Sequence, residues 1–581
     1  MGIGAGSRRL MSLGAGALPG RNTTSIKGIR PMKFKINKRA ATAATITACC
    51  LVVGAASAQK QPREYRPLTA LEQLGRHVFF DERFSVPEGQ SCASCHDPAV
   101  GFVFPDPAVN FGQVGAPGAV EGAVGTIKTP SNAYASFAPA FLPCSEVYGG
   151  NRGAPPGGRH CGGMFWDGRA EGHGRMGANP RGDGALSETI TADYLPPSVR
   201  EAYSVFLGPV ADQALNPFPN PSEQNIEEIR VCKRVLKGWE AVLYKNAFGE
   251  WPKCGVNPAH NPRYKQTFRR LAVALSAFQA SPEVNSFTSK RDIALRKELA
   301  CKEPNGDFGF YHDFYPNFGD WCANTLASEK PDMETWGKFP LVELTDLENQ
   351  GHDLFYDVPS ELNPPEPVFD EAGEPVIDPE TGEQLVAASE SGCHRCHNDN
   401  PLVEDGSEPY QTYNDQAYHN IGIPFNPEIP GVLPGQIEGV SAHLTSAQPG
   451  FFKNPTIRNV GKGDGGINGK RKAFGHNGYF KSLEQIVHFY STRDLKESCD
   501  YPRIDQPAGI NVAVRAEPIY NATAEQAIAA NCWPIPEFVD GVSNFGGVGI
   551  LNLTENEEAA IVAYLRAMSD QYTTPPPPRS K

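Results

Sequence analysis

The first strongly periodic segment of the chain reads Leu68-Thr69-x-Leu71-Glu72-x-x-Gly75-x-x-x-Phe79-Phe80-Asp81. Its apolar positions recur at helical spacing, and Thr69 with Glu72 makes a capping box, so the segment predicts a short amphipathic helix. The pattern returns as Leu344-Thr345-x-Leu347-Glu348-x-x-Gly351-x-x-x-Phe355-Tyr356-Asp357. Each copy has an apolar-periodic helix downstream, around 267–280 and 555–568, the latter capped by Thr554 with Glu557. The repeat predicts a mainly α fold of two related domains, 66–300 and 344–570, with a linker or insertion at 301–343.

Long loops separate these landmarks. The stretches 104–126, 145–163 and 171–200 are rich in Gly and Pro and read as irregular decoration. Residues 359–390 form an acidic insertion in which Asp370-Glu371-Ala372-Gly373-Glu374 and Asp378-Pro379-Glu380-Thr381-Gly382-Glu383 suggest a projecting hairpin, with calcium binding as the second reading. The tail, 571–581, contains Pro575–Pro578 and is expected to be extended and solvated. At the other end, Met32 opens a basic run (Lys33, Lys35, Lys38, Arg39), an apolar segment follows from Ala40, and Ala56-Ser57-Ala58 offers a cleavage site. That order is an export signal within 1–58, too short and alanine-rich for a membrane span.

Two pentapeptides carry the chemistry: Cys92-Ala93-Ser94-Cys95-His96 and Cys393-His394-Arg395-Cys396-His397. Two thiols at this spacing form thioethers with the vinyl groups of haem, and the histidine ligates its iron. A single Cys-x-x-Cys is equally a zinc half-site or a redox pair. Two copies at the same place in a repeat, in an exported chain, point to two covalently bound haem c groups and to the periplasm. The arrangement is two cytochrome c-like domains, each needing its haem to complete a core.

Of 14 cysteines, two lie in the signal and four hold haem, leaving eight. An even remainder in an oxidising compartment suggests disulfides pinning the loops, most simply Cys144–Cys161, Cys232–Cys254, Cys301–Cys322 and Cys499–Cys532, with an additional metal site as the other reading. Nine of the 53 Lys and Arg residues, and no Asp or Glu, fall in 1–58, so the mature chain has 44 basic and 66 acidic residues. That acidity argues against nucleic acid and anionic membrane surfaces and suits a small, basic electron-transfer protein, although it equally serves plain solubility.

Further segments resemble the bacterial di-haem cytochrome c peroxidase/MauG family. They are LGRHVFFDERFS, GQSCASCHDP, Phe165-Trp166-Asp167-Gly168-Arg169-Ala170, Tyr418-His419-Asn420-Ile421-Gly422-Ile423-Pro424, and Phe452-Lys453-Asn454-Pro455-Thr456-Ile457-Arg458-Asn459-Val460, leading into His476-Asn477-Gly478. The resemblance runs from about Leu68 to Asp570 and implies reduction of hydrogen peroxide at the N-terminal haem, with the C-terminal haem passing electrons. It implies Glu223 as the acid–base group, Gln213 as its orienting partner, Pro217 as a shaper of the pocket and Trp166 as an electron relay. The axial ligands would be His96 and His397, with Tyr490 completing the second haem where many members have methionine. His476 and His488 are the fallback ligands. Family members are often dimers, and no interface is legible here.

Several positions depart from the family pattern. No histidine lies between His96 and His160, so the ligand that blocks the first haem in many members is missing; His160 is a weak substitute. That absence and Tyr490 resemble the MauG branch, which oxidises a side chain of a partner protein. Ser391 replaces that branch's second tryptophan. Lys128 and Arg471 stand near the family's calcium-facing positions, and cationic side chains cannot ligate calcium, though they can replace its charge. Two other readings stay open: a di-haem oxygenase, and an electron-transfer cytochrome without catalysis.

Overall fold

The computed structural model describes residues 66–577 apart from 148–159, 173–207, 256–262, 303–321, 323, 325–328, 331–333, 369–373, 378–383, 399–405, 409, 445, 467 and 503–512. The export signal and, apart from Glu374, both acidic stretches of the insertion, 370–374 and 378–383, lie outside the described residues.

Local sequence explains how the principal helices begin. Helix Ala70–Phe80 opens on a reciprocal cap: Glu72 N donates to Thr69 Oγ1, and Thr69 N donates to Glu72 Oε2 at 2.7 Å. Helix Asp346–Tyr356 repeats this with Thr345 and Glu348, and helix Glu555–Ala567 with Thr554 and Glu557. Each cap satisfies donors that the first helical turn leaves without carbonyls.

The repeated glycines set the packing. Helix Ala70–Phe80 lies on helix Arg263–Gln279 so closely that a Cβ on Gly75 would sit 1.9 Å from Ala274 O. Helix Asp346–Tyr356 lies on Glu555–Ala567 in the same way, with a Cβ on Gly351 falling 2.0 Å from Ala560 O. Around these crossings grow two hydrophobic cores. One gathers Leu74, Val78, Phe79, Leu271 and Phe278; the other Leu354, Phe355, Ile561, Tyr564 and Leu565.

The cores belong to one compact unit, 58–581, rather than to two separate bodies. Arg458, from the second half, reaches Asp292 on helix Lys290–Lys302 through two hydrogen bonds of 2.7 and 3.0 Å, both side chains being buried. Nearby, Asp570 accepts from Tyr134 Oη at 2.9 Å, Thr288 N at 2.8 Å and Asn459 Nδ2 at 2.9 Å.

Strands are short. Leu142–Pro143 pairs antiparallel with His160–Cys161, and Tyr418–His419 with Phe452–Lys453. In the acidic insertion Glu366–Pro367 pairs antiparallel with Val386–Ala387, making the expected hairpin. All four expected disulfides form: Cys144–Cys161, Cys232–Cys254, Cys301–Cys322 and Cys499–Cys532. The tail differs from expectation. Thr574 is buried, and Arg76 Nη2 donates to Pro575 O at 2.7 Å, so the start of the tail docks on the first helix. Among the described residues no helix is long and apolar enough to cross a membrane.

Candidate active site in two cavities

Cys92–Cys95 form a single helical turn, closed by His96 N donating to Cys92 O at 2.9 Å. This brings Cys92, Cys95 and His96 onto one wall of a cavity of about 310 Å³. His96 Nδ1 donates to Phe102 O at 3.0 Å, and Phe102 takes a left-handed conformation, φ 61°, in the turn that follows the motif. Burial lowers the His96 pKa to about 4, favouring the neutral ring that a metal ligand must be. Burial also pushes both thiols up to about 12, with the Glu223 charge adding to the effect.

Gln213, Pro217 and Glu223 line this same cavity. Gln213 ends the short helix Pro209–Gln213 and is buried. The loop after it curls back through Gln224 N to Pro217 O at 3.1 Å, and Asn220 Nδ2 holds Glu223 Oε1 at 2.6 Å. Ala119 N donates to Glu223 O at 2.7 Å, anchoring the carboxylate's backbone. Among the described residues no second histidine lines this cavity. His160 is elsewhere, stacked on Phe141 at 4.9 Å.

The second motif repeats the design. Cys393, Cys396 and His397 line a cavity of about 220 Å³. His397 Nδ1 donates to Tyr413 O at 3.1 Å, and Tyr413, like Phe102, is left-handed with φ 55°. Asn454 Nδ2 donates to Cys396 O at 2.6 Å, and Ser391 Oγ to Cys393 Sγ at 3.1 Å. Helix Leu483–Thr492, capped by Ser482, delivers Tyr490 to this cavity. Burial, with the neighbouring Cys393 and Cys396, raises the pKa of its hydroxyl.

His476 lines the same cavity. It stacks on Phe452 at 3.5 Å, and its Nε2 is buried without a hydrogen-bond partner. His488 does not line it: Nδ1 meets both Glu558 carboxylate oxygens at 3.0 Å, and Nε2 meets Lys496 Nζ at 2.6 Å. The helix turns the residue two before Tyr490 away from the cavity, which removes His488 as an alternative ligand. Trp166, buried, lies edge-on to His476 with ring centroids 6.4 Å apart, and its Nε1 donates to Lys128 O at 2.7 Å. Lys128 lines both cavities.

In each cavity two half-buried thiols outside any disulfide and a histidine fixed through Nδ1 stand beside apolar walls, Phe79 and Leu275 in one, Val487 and Ile561 in the other. This donor set fits covalent haem c, with the second histidine nitrogen left for iron. Residues 69–300 match the family model described as di-haem cytochrome c peroxidase. Over these residues the chain is similar to the di-haem cytochrome c peroxidase/MauG family. It is therefore a haem oxidoreductase of the peroxidase type.

Methylamine utilization protein MauG of Paracoccus denitrificans is 25% identical over 434 residues, covering 73% of this chain and 74% of that protein. Cytochrome-c peroxidase IdrP2 of Denitromonas iodatirespirans is 49% identical over 49 residues, 8% of this chain and 13% of its own. Among solved structures, the dihaem peroxidase BthA of Burkholderia thailandensis aligns over 88% of both chains at 20% identity and a TM-score of 0.49. A MauG-like protein associated with microbial copper homeostasis aligns over 89% of this chain and 97% of its own, at 18% identity and a TM-score of 0.42.

Some site residues escaped the sequence reading. Gln224 is 3% exposed, lines the first cavity, and has neither amide atom hydrogen-bonded. Gln279 lines it too, with a buried and unpartnered Oε1. Nothing in periodicity marks either one. Gln224 reads as a polar loop residue and Gln279 as a helix end until folding turns them inward. His419, paired with Asp415 at 2.8 Å, lines the second cavity; the Tyr418-His419-Asn420 segment was its only sequence signal.

Proposed function

We propose that this protein reduces hydrogen peroxide at the haem held by Cys92, Cys95 and His96, using electrons relayed from the haem held by Cys393, Cys396 and His397. The observation that carries this reading is the gathering of Glu223, Gln213 and Pro217 in the cavity of the first motif. Bound haem would supply the redox-active iron that peroxide chemistry needs. The Glu223 carboxylate takes a proton from peroxide and returns it to the departing oxygen, so that water leaves. Asn220 steadies that carboxylate, Gln213 orients the peroxide, and Pro217 keeps the loop narrow. Each turnover consumes two electrons and two protons per peroxide and yields two waters. Trp166 would pass electrons between the two haem sites, and Tyr490 would be a ligand to the second iron, with His476 the alternative.

A small, basic, periplasmic electron-transfer protein is the expected donor, in keeping with the acidic mature chain. A second reading, peroxide-dependent oxidation of a partner protein's side chain, is favoured by one observation: among the described residues no second histidine lines the first cavity. On that reading the first haem is open while ferric.

Glu223→Gln tests the proposal. Peroxide reactivity should fall by about 10²–10⁴-fold while both haems remain attached. Unchanged peroxide turnover in a variant carrying both haems would remove Glu223 from the chemistry. Oxygen uptake with an organic substrate would favour an oxygenase, and peroxide-independent electron transfer alone a simple cytochrome.

A further inference from the structure

Lys128 and Lys472 are buried side chains that the peroxide chemistry does not use. Lys128 is 8% exposed and Lys472 is 5% exposed. Among the described residues the Lys128 ammonium has a single hydrogen bond, to Thr129 O at 3.3 Å, and no carboxylate acts on it. Lys472 Nζ donates to Asn459 O at 2.6 Å and to Val100 O at 3.5 Å. Asp464 lies within electrostatic range of it, opposed by Lys128 and Lys462. Lys453, the other buried lysine of this cavity, differs in having Gln416 Oε1 at 3.2 Å and Asp415 in electrostatic range.

Burying an ammonium without a counter-ion is costly, and burying two within range of each other is more so. Buried with no carboxylate beside it among the described residues, Lys128 suits an anion that those residues do not provide. Position identifies that anion. Lys128 lines the cavities of both Cys-x-x-Cys-His motifs, and Lys472 lines the second. Each haem brings two propionate carboxylates, which suit these ammonium groups in charge and in hydrogen bonding. A divalent cation between the haems would meet two ammonium groups where oxygen ligands are required, so the site does not fit calcium.

We propose that Lys128 and Lys472 are the ion-pair partners of the haem propionates and serve as a built-in positive charge between the two haems in place of a bound divalent cation. Through the hydrogen bond from Trp166 Nε1 to Lys128 O, the same lysine also positions the indole. The inference rests on the two-haem reading but not on peroxide turnover.

The test is a spectroelectrochemical titration of the purified di-haem protein. EGTA treatment, and then addition of calcium chloride, should leave both midpoint potentials unchanged. Lys128→Met should lower both potentials, because a lost positive charge stabilises the ferric state, whereas Lys128→Arg should hold them. If Lys128→Met does not retain both haems, Lys472→Met takes its place with the same expected fall for the second haem. Potentials that move on chelation, or that stay put in a methionine variant carrying both haems, overturn the proposal. A protein with the expected potentials but no peroxide turnover would sink the peroxide reading and leave this one intact.

Discussion

Replacing Asp292 by Asn breaks the pair that ties the two halves together. Asp292 is buried and receives two hydrogen bonds from Arg458, itself buried, with Arg291 3.3 Å away. Burial alone would raise its pKa, but Arg458, Arg291 and Arg296 together hold it below the ordinary carboxylate value. The amide keeps the shape and removes the carboxylate charge that faces the buried Arg458 and Arg291 guanidinium groups. Removing one partner of a buried pair costs about 3–5 kcal/mol. Urea unfolding of the haem-loaded protein, followed by tryptophan fluorescence and haem absorbance, measures this directly. The dependence on pH has a fixed sign. A depressed folded-state pKa contributes stability that is fully present above the unfolded value, about 3.9, and is lost as pH falls through the lower folded value. The gap between wild type and Asp292→Asn should therefore narrow as pH drops below about 4. Since Arg458 also lines the second haem cavity, the haem absorbance should report the loss early. A variant within about 1 kcal/mol of wild type at neutral pH would refute the pair's role in joining the halves.

The other predictions concern packing and ligation. Gly351→Ala places a Cβ 2.0 Å from Ala560 O and 2.8 Å from Tyr564 Cβ, so helix backbones must separate, at a cost of about 1–3 kcal/mol or more. Gly255→Ala, with nothing within 4 Å, is the control, and the two should differ clearly in thermal melts. Tyr490→Phe should raise the midpoint potential of the second haem, because an anionic oxygen ligand favours ferric iron; an unchanged potential would transfer the sixth position to His476.

What the sequence disclosed was local. The capping boxes of Thr69, Thr345 and Thr554 are legible because cap and partner lie three residues apart. Gly75 and Gly351 were visible as repeated letters, but their reason, the close approach of a second helix, comes from chain some 200 residues away. The acidic hairpin followed from its composition, and the disulfides from nearest-neighbour pairing. Long-range chemistry stayed hidden. Asp292 and Arg458 are 166 residues apart, and no periodicity announces their pairing. Nor does the repeat of two related domains announce the contacts across the halves, where Tyr134, Thr288 and Asn459 meet Asp570. At the site, Glu223 and Tyr490 were found through motif resemblance, while the orphaned amide of Gln224 required the folded cavity to be seen.

The most direct measurement is stopped-flow mixing of the fully ferric di-haem protein with one equivalent of hydrogen peroxide, without reductant, while the Soret band is followed. The account predicts an immediate spectral change, slowed by orders of magnitude in Glu223→Gln. A Soret band that stays still until one haem is reduced would contradict the open first cavity.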